Sequence, residues 1–143
     1  MPQILHIPHS HKLYPNLLAL RQLILRDPLG MTFSATELEQ DKQMSYFIYY
    51  DNDEILGTVS LEILSPKKGQ LRQMAVHDKT QGKGVGRQIV TALENHSREI
   101  GLTEIHLDSR YPARGFYAKL GYTEYGDIYD KIGIKHINMK KSL

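Results

Sequence analysis

Leu71-Arg72-Gln73-Met74-Ala75-Val76-His77-Asp78-Lys79-Thr80-Gln81-Gly82-Lys83-Gly84-Val85-Gly86-Arg87-Gln88-Ile89-Val90 decides how the chain is read. A short run fit for a strand leads through a polar turn to three glycines at alternate positions, and a helical pattern starts directly after them. Val85, Ile89, Val90, Leu93 and Ile100 recur near one face at a period of about 3.6 residues, while Arg87, Gln88, Glu94 and Arg98 fall on others. Gly101 stands where a helix can close in the left-handed region. The stretch therefore reads as strand, glycine turn, helix. With no Cβ at Gly82, Gly84 and Gly86, the backbone can bend sharply and a ligand can approach its N–H groups. The first turn of a helix has N–H groups without intrahelical partners, and the macrodipole adds about half a positive charge there. A phosphate is the favoured guest.

The spacing excludes two common phosphate loops. A P-loop needs Gly-x-x-x-x-Gly-Lys-Ser/Thr, but Lys83 is followed by Gly84. A dinucleotide fingerprint needs glycines spaced two and then three apart, whereas these are spaced two and two. What remains is a different phosphate cradle, or a turn that only starts a helix.

Composition narrows the class. A chain of 143 residues suits one domain spanning 1–143, and 41% hydrophobic with 24% charged residues is a globular make-up. A formal charge of +2 without a clustered basic face gives no reason to expect nucleic acid or membrane as partners. The absence of cysteine removes disulfides and a thiol nucleophile. With no long apolar run and no charged-then-apolar leader at Met1, the expected location is the cytoplasm. His6, His9 and His11 lack a cysteine or carboxylate cluster beside them, so no metal is expected.

In chain order, Gln3 to Ile7 can be a strand stopped by Pro8. A helix follows, with Pro15 in its first turn, Leu17, Leu18, Leu20, Ile24 and Leu25 as its apolar face, and Pro28-Leu29-Gly30 as its end. Ser34-Ala35-Thr36-Glu37 has capping-box spacing and places a short helix from Ala35 to Lys42. Ser45 to Tyr50 and Ile55 to Leu64 are rich in β-branched and aromatic residues, with Asp51 to Glu54 as a hairpin turn and Ser65 to Gly69 as the next turn. Beyond the long helix, Thr103 to Asp108 alternates as a strand, and a strand–helix–strand unit of this length implies parallel pairing. Pro112 can start a short helix with Phe116, Tyr117 and Leu120 on its apolar side and Gly121 at its end. Two last strands, Tyr122 to Tyr125 and Ile134 to Lys140, are separated by a turn-rich segment through Gly126, Asp127 and Gly133.

Two of these segments carry a resemblance. Gln81-Gly82-Lys83-Gly84-Val85-Gly86 is similar to the Gln/Arg-x-x-Gly-x-Gly/Ala loop of the GCN5-related N-acetyltransferases, the GNAT superfamily, and Ala113 to Tyr122 resembles that family's Ala-x-x-Phe-Tyr-x-Lys-x-Gly-Phe/Tyr segment. Leu25 to Gly30 and Gly133 to Met139 also look like those of the small bacterial ElaA-like acetyltransferases. The resemblance implies a mixed α/β fold: a largely antiparallel sheet of six or seven strands, about four helices, and one parallel strand pair that splays apart. It also implies acetyl-CoA as co-substrate. Met74, Ala75 and Val76 would pair with the pantetheine amides, and the diphosphate would rest on N–H groups from Gln81, Gly82, Lys83, Gly84, Val85, Gly86 and Arg87. Ala113, Phe116 and Tyr117 would close the cofactor site. One departure stands out: many members have asparagine where this chain has Arg110, so the usual contact with the cofactor arm at that position is in question.

The implied reaction moves an acetyl group from a thioester to an amine, and two protons must be managed. An alkyl ammonium, pKa about 10.4, must lose one, and a departing thiolate, pKa near about 8.5, gains from receiving one. Tyr117 matches the family's tyrosine acid. For the base, the position some members fill with glutamate is Gln70, which leaves Glu62 on the preceding strand, His136, His106 or a water chain with no dedicated base. Alternation puts His136, Asn138 and Lys140 on one strand face and Ile137 and Met139 on the other. The acceptor is expected to be a small-molecule or peptide amine, met by a monomer or homodimer. A non-catalytic acyl-CoA-binding regulatory module is the alternative, kept open by Gln70 and Arg110.

Overall fold

The computed structural model describes residues 1–143. Its strands are β1 (Gln3–Pro8), β2 (Ser45–Asp51), β3 (Glu54–Ser65), β4 (Lys68–Val76), β5 (Glu104–Arg110), β6 (Thr123–Lys131) and β7 (Ile134–Ser142). They form one sheet in the order β1-β2-β3-β4-β5-β7-β6, antiparallel at every pair except β4 with β5. The helices are α1 (Tyr14–Arg21), α2 (Ala35–Gln40), α3 (Val85–Glu99) and α4 (Arg114–Lys119). The expected mixed sheet with a parallel pair and four helices is what the chain forms.

Each face of the sheet has its own core. On one, Ile89, Val90 and Leu93 of α3 and Tyr117 of α4 pack on Phe47, Val59, Leu61, Leu71, Ile105 and Leu107. On the other, Leu17 and Leu20 of α1 meet Ile7, Tyr46, Ile48 and Ala75. Ile89 and Leu93 are fully buried, each worth about 1.5–3 kcal/mol relative to exposure. No helix is long and apolar enough to cross a membrane.

Local chemistry explains several element ends. Ser34 and Glu37 form the reciprocal capping box at α2. Asn52 and Asp53, at φ of 49° and 61°, give the primed turn that matches strand twist in a two-residue hairpin. Gly101 and Gly121 end their helices at φ of 90° and 96°.

Four expectations are corrected. The turn after β3 shrinks to Pro66 and Lys67, because Ser65 already pairs with Lys68. The segment through Gly126 and Asp127 is part of β6, absorbed as a bulge between the pairs Tyr125↔Asn138 and Tyr129↔His136. The helix after Pro15 is regular only to Arg21; Gln22–Arg26 is π-helical and Asp27–Leu29 a 3-10 turn. On α3 the edge of the apolar stripe is misplaced: Ile100 is 47% exposed, while Glu94 is buried, accepting from the Tyr122 hydroxyl at 2.8 Å and from Lys141 Nζ at 3.1 Å.

A second buried charge locks the opposite face. Arg21 and Asp41, both completely buried, are joined at 2.9 Å, and Asp41 also accepts from the Tyr14 hydroxyl while its carbonyl accepts from Tyr46 at 2.7 Å. The network ties α1 to the segment that follows α2 and to β2. Removing one member strands the other charge without water, which typically costs about 3–5 kcal/mol. Asp41→Ala is therefore expected to lower unfolding stability by that amount in urea titration; a loss below about 1 kcal/mol would show that Arg21 finds solvent or another acceptor.

Candidate active site

The site begins with one extra residue. Between the pairs Thr58↔Ala75 and Ser60↔Arg72, β3 advances two residues and β4 three, and Gln73 takes up the surplus at φ 52°. Past this bulge β4 stays with β3 as far as Gly57↔Val76. β5 instead follows β7 to Arg110↔His136. Parallel pairing between β4 and β5 therefore ends at Leu71↔Leu107. From Arg72 onward the edge of β4 that faces β5 has no strand beside it.

This wedge opens into a cavity of about 430 Å³, lined from both faces of the sheet. Met74, Ala113 and Tyr117 line it on the α4 side. From the α1 and α2 side come Leu25, Arg26, Glu37 and Met44. Leu25 and Arg26 belong to the π-helical segment, a distortion frequent at functional sites.

The glycine turn lies outside the cavity. Gly82 and Gly84 are left-handed, at φ of 80° and 72°, and no atom comes within 4 Å of where a Cβ would stand. Gly84 is the N-cap of α3 and brings no side-chain cap; the first helical bond runs from Gln88 N–H to the Gly84 carbonyl at 3.0 Å. Of the amides expected to hold a diphosphate, those of Gln81 and Lys83 are already spent on the Asp78 and Thr80 carbonyls, both at 3.2 Å; the ones left for a ligand or water are those of Gly82 and of Gly84 to Arg87. Gly86 differs. A Cβ there would stand 3.1 Å from the Phe116 ring and 3.6 Å from Val76, so its missing side chain admits Phe116 rather than a ligand. Val85 is buried, while Gln81, Lys83 and Arg87 are exposed.

Phe116 and Tyr117 thus divide their work. Phe116 covers the first turn of α3, and Tyr117 lines the cavity. The Tyr117 hydroxyl has only the Met74 sulfur beside it, at 3.9 Å, and burial raises its pKa well above the ordinary phenol value. His136, also buried, lines the cavity with Nδ1 held 2.8 Å from the Ile134 carbonyl. Glu62 stands off the wall, paired with Arg72 at 2.8 Å. His106 is engaged by Tyr125 at 2.9 Å and by Glu104, away from the cavity. Ala75 points into the α1 core, leaving its backbone as its contribution to the wedge. The three early histidines turn to different neighbours: His6 to Phe47 and His96, His9 to Tyr14, and His11 to the Leu13 N–H.

Much of the wall's charge has no sequence signature. Arg26 donates to Glu37 at 2.7 Å and 3.1 Å, and its guanidinium stacks 4.1 Å from the Phe33 ring centroid. Glu37 could be read only as a cap; it also accepts from Ser34 N–H at 3.0 Å. Lys131 reaches Asp108 at 3.1 Å. Burial pushes the Asp108 pKa up, but the hydrogen bond and charge of Lys131 outweigh it and hold the carboxyl below its usual value.

Residues 31–143 match the family model described as an acetyltransferase (GNAT) domain. That match, on a sheet split at its parallel pair beside an open glycine turn, defines the class: the chain belongs to the GNAT acetyltransferase family. The uncharacterised protein YyaT of Bacillus subtilis is 29% identical over 102 residues, 71% of this chain and 68% of that one. Across the curated relatives the aligned part spans as little as 58% of the relative's length. Among solved structures, a provisionally assigned N-acetyltransferase from Lactobacillus plantarum superposes with a TM-score of 0.88 at 24% identity, covering 99% of this chain and 98% of that one. Escherichia coli ElaA gives 0.82 at 19% identity, covering 99% of each, so the expected likeness to ElaA holds at the level of fold. A GNAT family acetyltransferase from Elizabethkingia anophelis with acetyl-CoA bound gives 0.74 at 18% identity, with 99% and 98% covered.

The Arg26–Glu37 pair makes the cavity wall acid-sensitive. Hydrogen bonds from Arg26, reinforced by Ser34, lower the Glu37 pKa from 4.5 to about 2. Because the folded value is the lower one, the stability contributed by this group is fully present above about pH 4.5 and is lost as the pH falls toward about 2. Glu37→Gln is expected to be less stable than the parent at neutral pH but to lose less stability over that acid interval. Urea midpoints measured across it check this, and parallel pH profiles for the two proteins would refute it.

Proposed function

We propose that residues 1–143 act as one acetyl-CoA-dependent N-acetyltransferase domain, moving an acetyl group directly to a primary amine of a small molecule or peptide in a ternary complex. The observation that carries this reading is the wedge between β4 and β5, which gives access from both sheet faces to one buried phenol and one buried imidazole. The chain's own groups fit the co-substrate. Bare amides at the start of α3, reachable at Gly82 and Gly84, suit a diphosphate. The unpaired edge of β4 from Arg72 to Val76 offers donors and acceptors to an amide-bearing arm. When bound, acetyl-CoA supplies the activated acetyl thioester.

Tyr117 is the general acid of this proposal. A phenol whose pKa is raised by burial keeps its proton at neutral pH, and a thioether at 3.9 Å is a weak acceptor that leaves the proton free for a departing thiolate. His136 is the base. A backbone carbonyl can only accept, so Nδ1 carries the hydrogen shared with Ile134, and Nε2 of the neutral ring keeps a lone pair for the amine's proton. Glu62 orients Arg72 through their ion pair, and acting as base would first require releasing it.

Thiol release from acetyl-CoA over a panel of amines tests the activity. Turnover on none of them, with calorimetry still detecting coenzyme A, would favour the non-catalytic acyl-CoA-binding module. Tyr117→Phe is expected to cut kcat by about 10²–10⁴ while the Kd for coenzyme A stays within about twofold. An unchanged kcat removes Tyr117 from the mechanism. Gly84→Val places a branched side chain at a left-handed position facing the diphosphate and is expected to weaken coenzyme A about tenfold or more, read by the same calorimetry.

A further inference from the structure

We infer that the acceptor is an amine carrying a carboxylate a few bonds away, the α- or β-amino acid class, and that Arg110 binds that carboxylate. The inference rests on the acetyltransferase reading and concerns the charge of the wedge. Four cations line the cavity: Arg26, Arg72, Arg110 and Lys131. Three are already matched, to Glu37 at 2.7 Å, Glu62 at 2.8 Å and Asp108 at 3.1 Å. Arg110 has no carboxylate within ion-pair distance. Its one hydrogen bond, Nη2 to the Leu25 carbonyl at 2.9 Å, leaves most of a five-donor fork unused. That bond also turns the side chain to the α1 face of the sheet, whereas Met74, Ala113 and Tyr117 line the cavity on the α4 side. The group is half-buried, and burial together with the neighbouring Arg26 disfavours its charge. An anion at this point relieves both, and a guanidinium fork matches a carboxylate in two parallel bonds.

Strand register sets Arg110 beside His136. Arg110 on β5 and His136 on β7 are direct antiparallel partners, and both line the cavity. Paired residues stand about 4.5–5.5 Å apart and share a face. A ligand that puts its carboxylate on Arg110 and its amine at His136 is therefore compact, with both groups on one face of the sheet. A polyamine would instead bring further positive charge to a wall whose one unmatched charge is already positive.

The test compares each standard amino acid with its carboxamide, its decarboxylated amine and its aminophosphonate analogue, by thiol release from acetyl-CoA. The acids are expected to exceed their carboxamides in kcat/KM by about tenfold to a hundredfold. In Arg110→Ala and Arg110→Gln that ratio is expected to fall toward one, with Arg110→Lys between. Equal rates on acid and carboxamide, preference for a polyamine, or preference for the aminophosphonate each overturns the inference without touching the acetyltransferase reading. So does a Kd for coenzyme A that rises in Arg110→Ala as much as the acceptor KM, because Arg110 would then serve the cofactor arm. Binding separates the two readings if no amine is turned over. N-acetyl amino acids and their carboxamides are titrated calorimetrically into the protein with coenzyme A present: tighter binding of the acids upholds the anion site, and equal binding ends it.

Discussion

One surplus residue in a strand governs this molecule. Antiparallel pairing with β3 absorbs the inserted Gln73 as a bulge in β4, while β5 keeps an unbroken register with β7 on its other side. Two neighbours tied to different partners must part, and they part at Leu71 and Leu107. Sheets rarely leave an interior strand edge bare, because unpaired amides in a dry setting are costly. Here the bare edge lines a cavity, where a ligand or water can satisfy it. A left-handed residue other than glycine costs roughly 1–3 kcal/mol, and Gln73 occupies such a position at the point where the site opens.

The residues that announced themselves in the sequence did so through short-range grammar. Capping at Ser34 and Glu37, the hairpin at Asn52 and Asp53, and the helix ends at Gly101 and Gly121 each depend on backbone geometry within a few positions, and each is found where its spacing put it. The parallel pair followed from the length of one crossover. Bulges were not legible in the same way, since an extra residue leaves period-two alternation locally intact on either side; the β6 bulge hid its strand behind Gly126 and Asp127. Buried charge was the least visible. Nothing near Arg21 shows that Asp41 waits twenty positions on, and Glu94 looked like a solvent residue until Tyr122 and Lys141 closed over it from distant elements. Only pairing through space makes such groups tolerable inside.

The same limit applied to the cavity. The glycine loop and the Phe-Tyr pair could be recognised as strings, but which ring would turn inward could not, because residues one apart on a helix point about 100° apart and either could have faced the wedge. The cations and carboxylates of the wall come from five separate elements, so their matching into pairs, and the one left over, exist only in the folded chain.

Phe116 and Tyr117 are consecutive on a helix less than two turns long, yet they touch opposite ends of the site: one ring rests on Gly86 in the opening turn of α3, the other on Met74 in the wedge. A methyl group added at position 86 would stand 3.1 Å from the Phe116 ring, which would have to give way. The glycine is thereby the seat of one ring in a consecutive pair whose other ring faces the cavity.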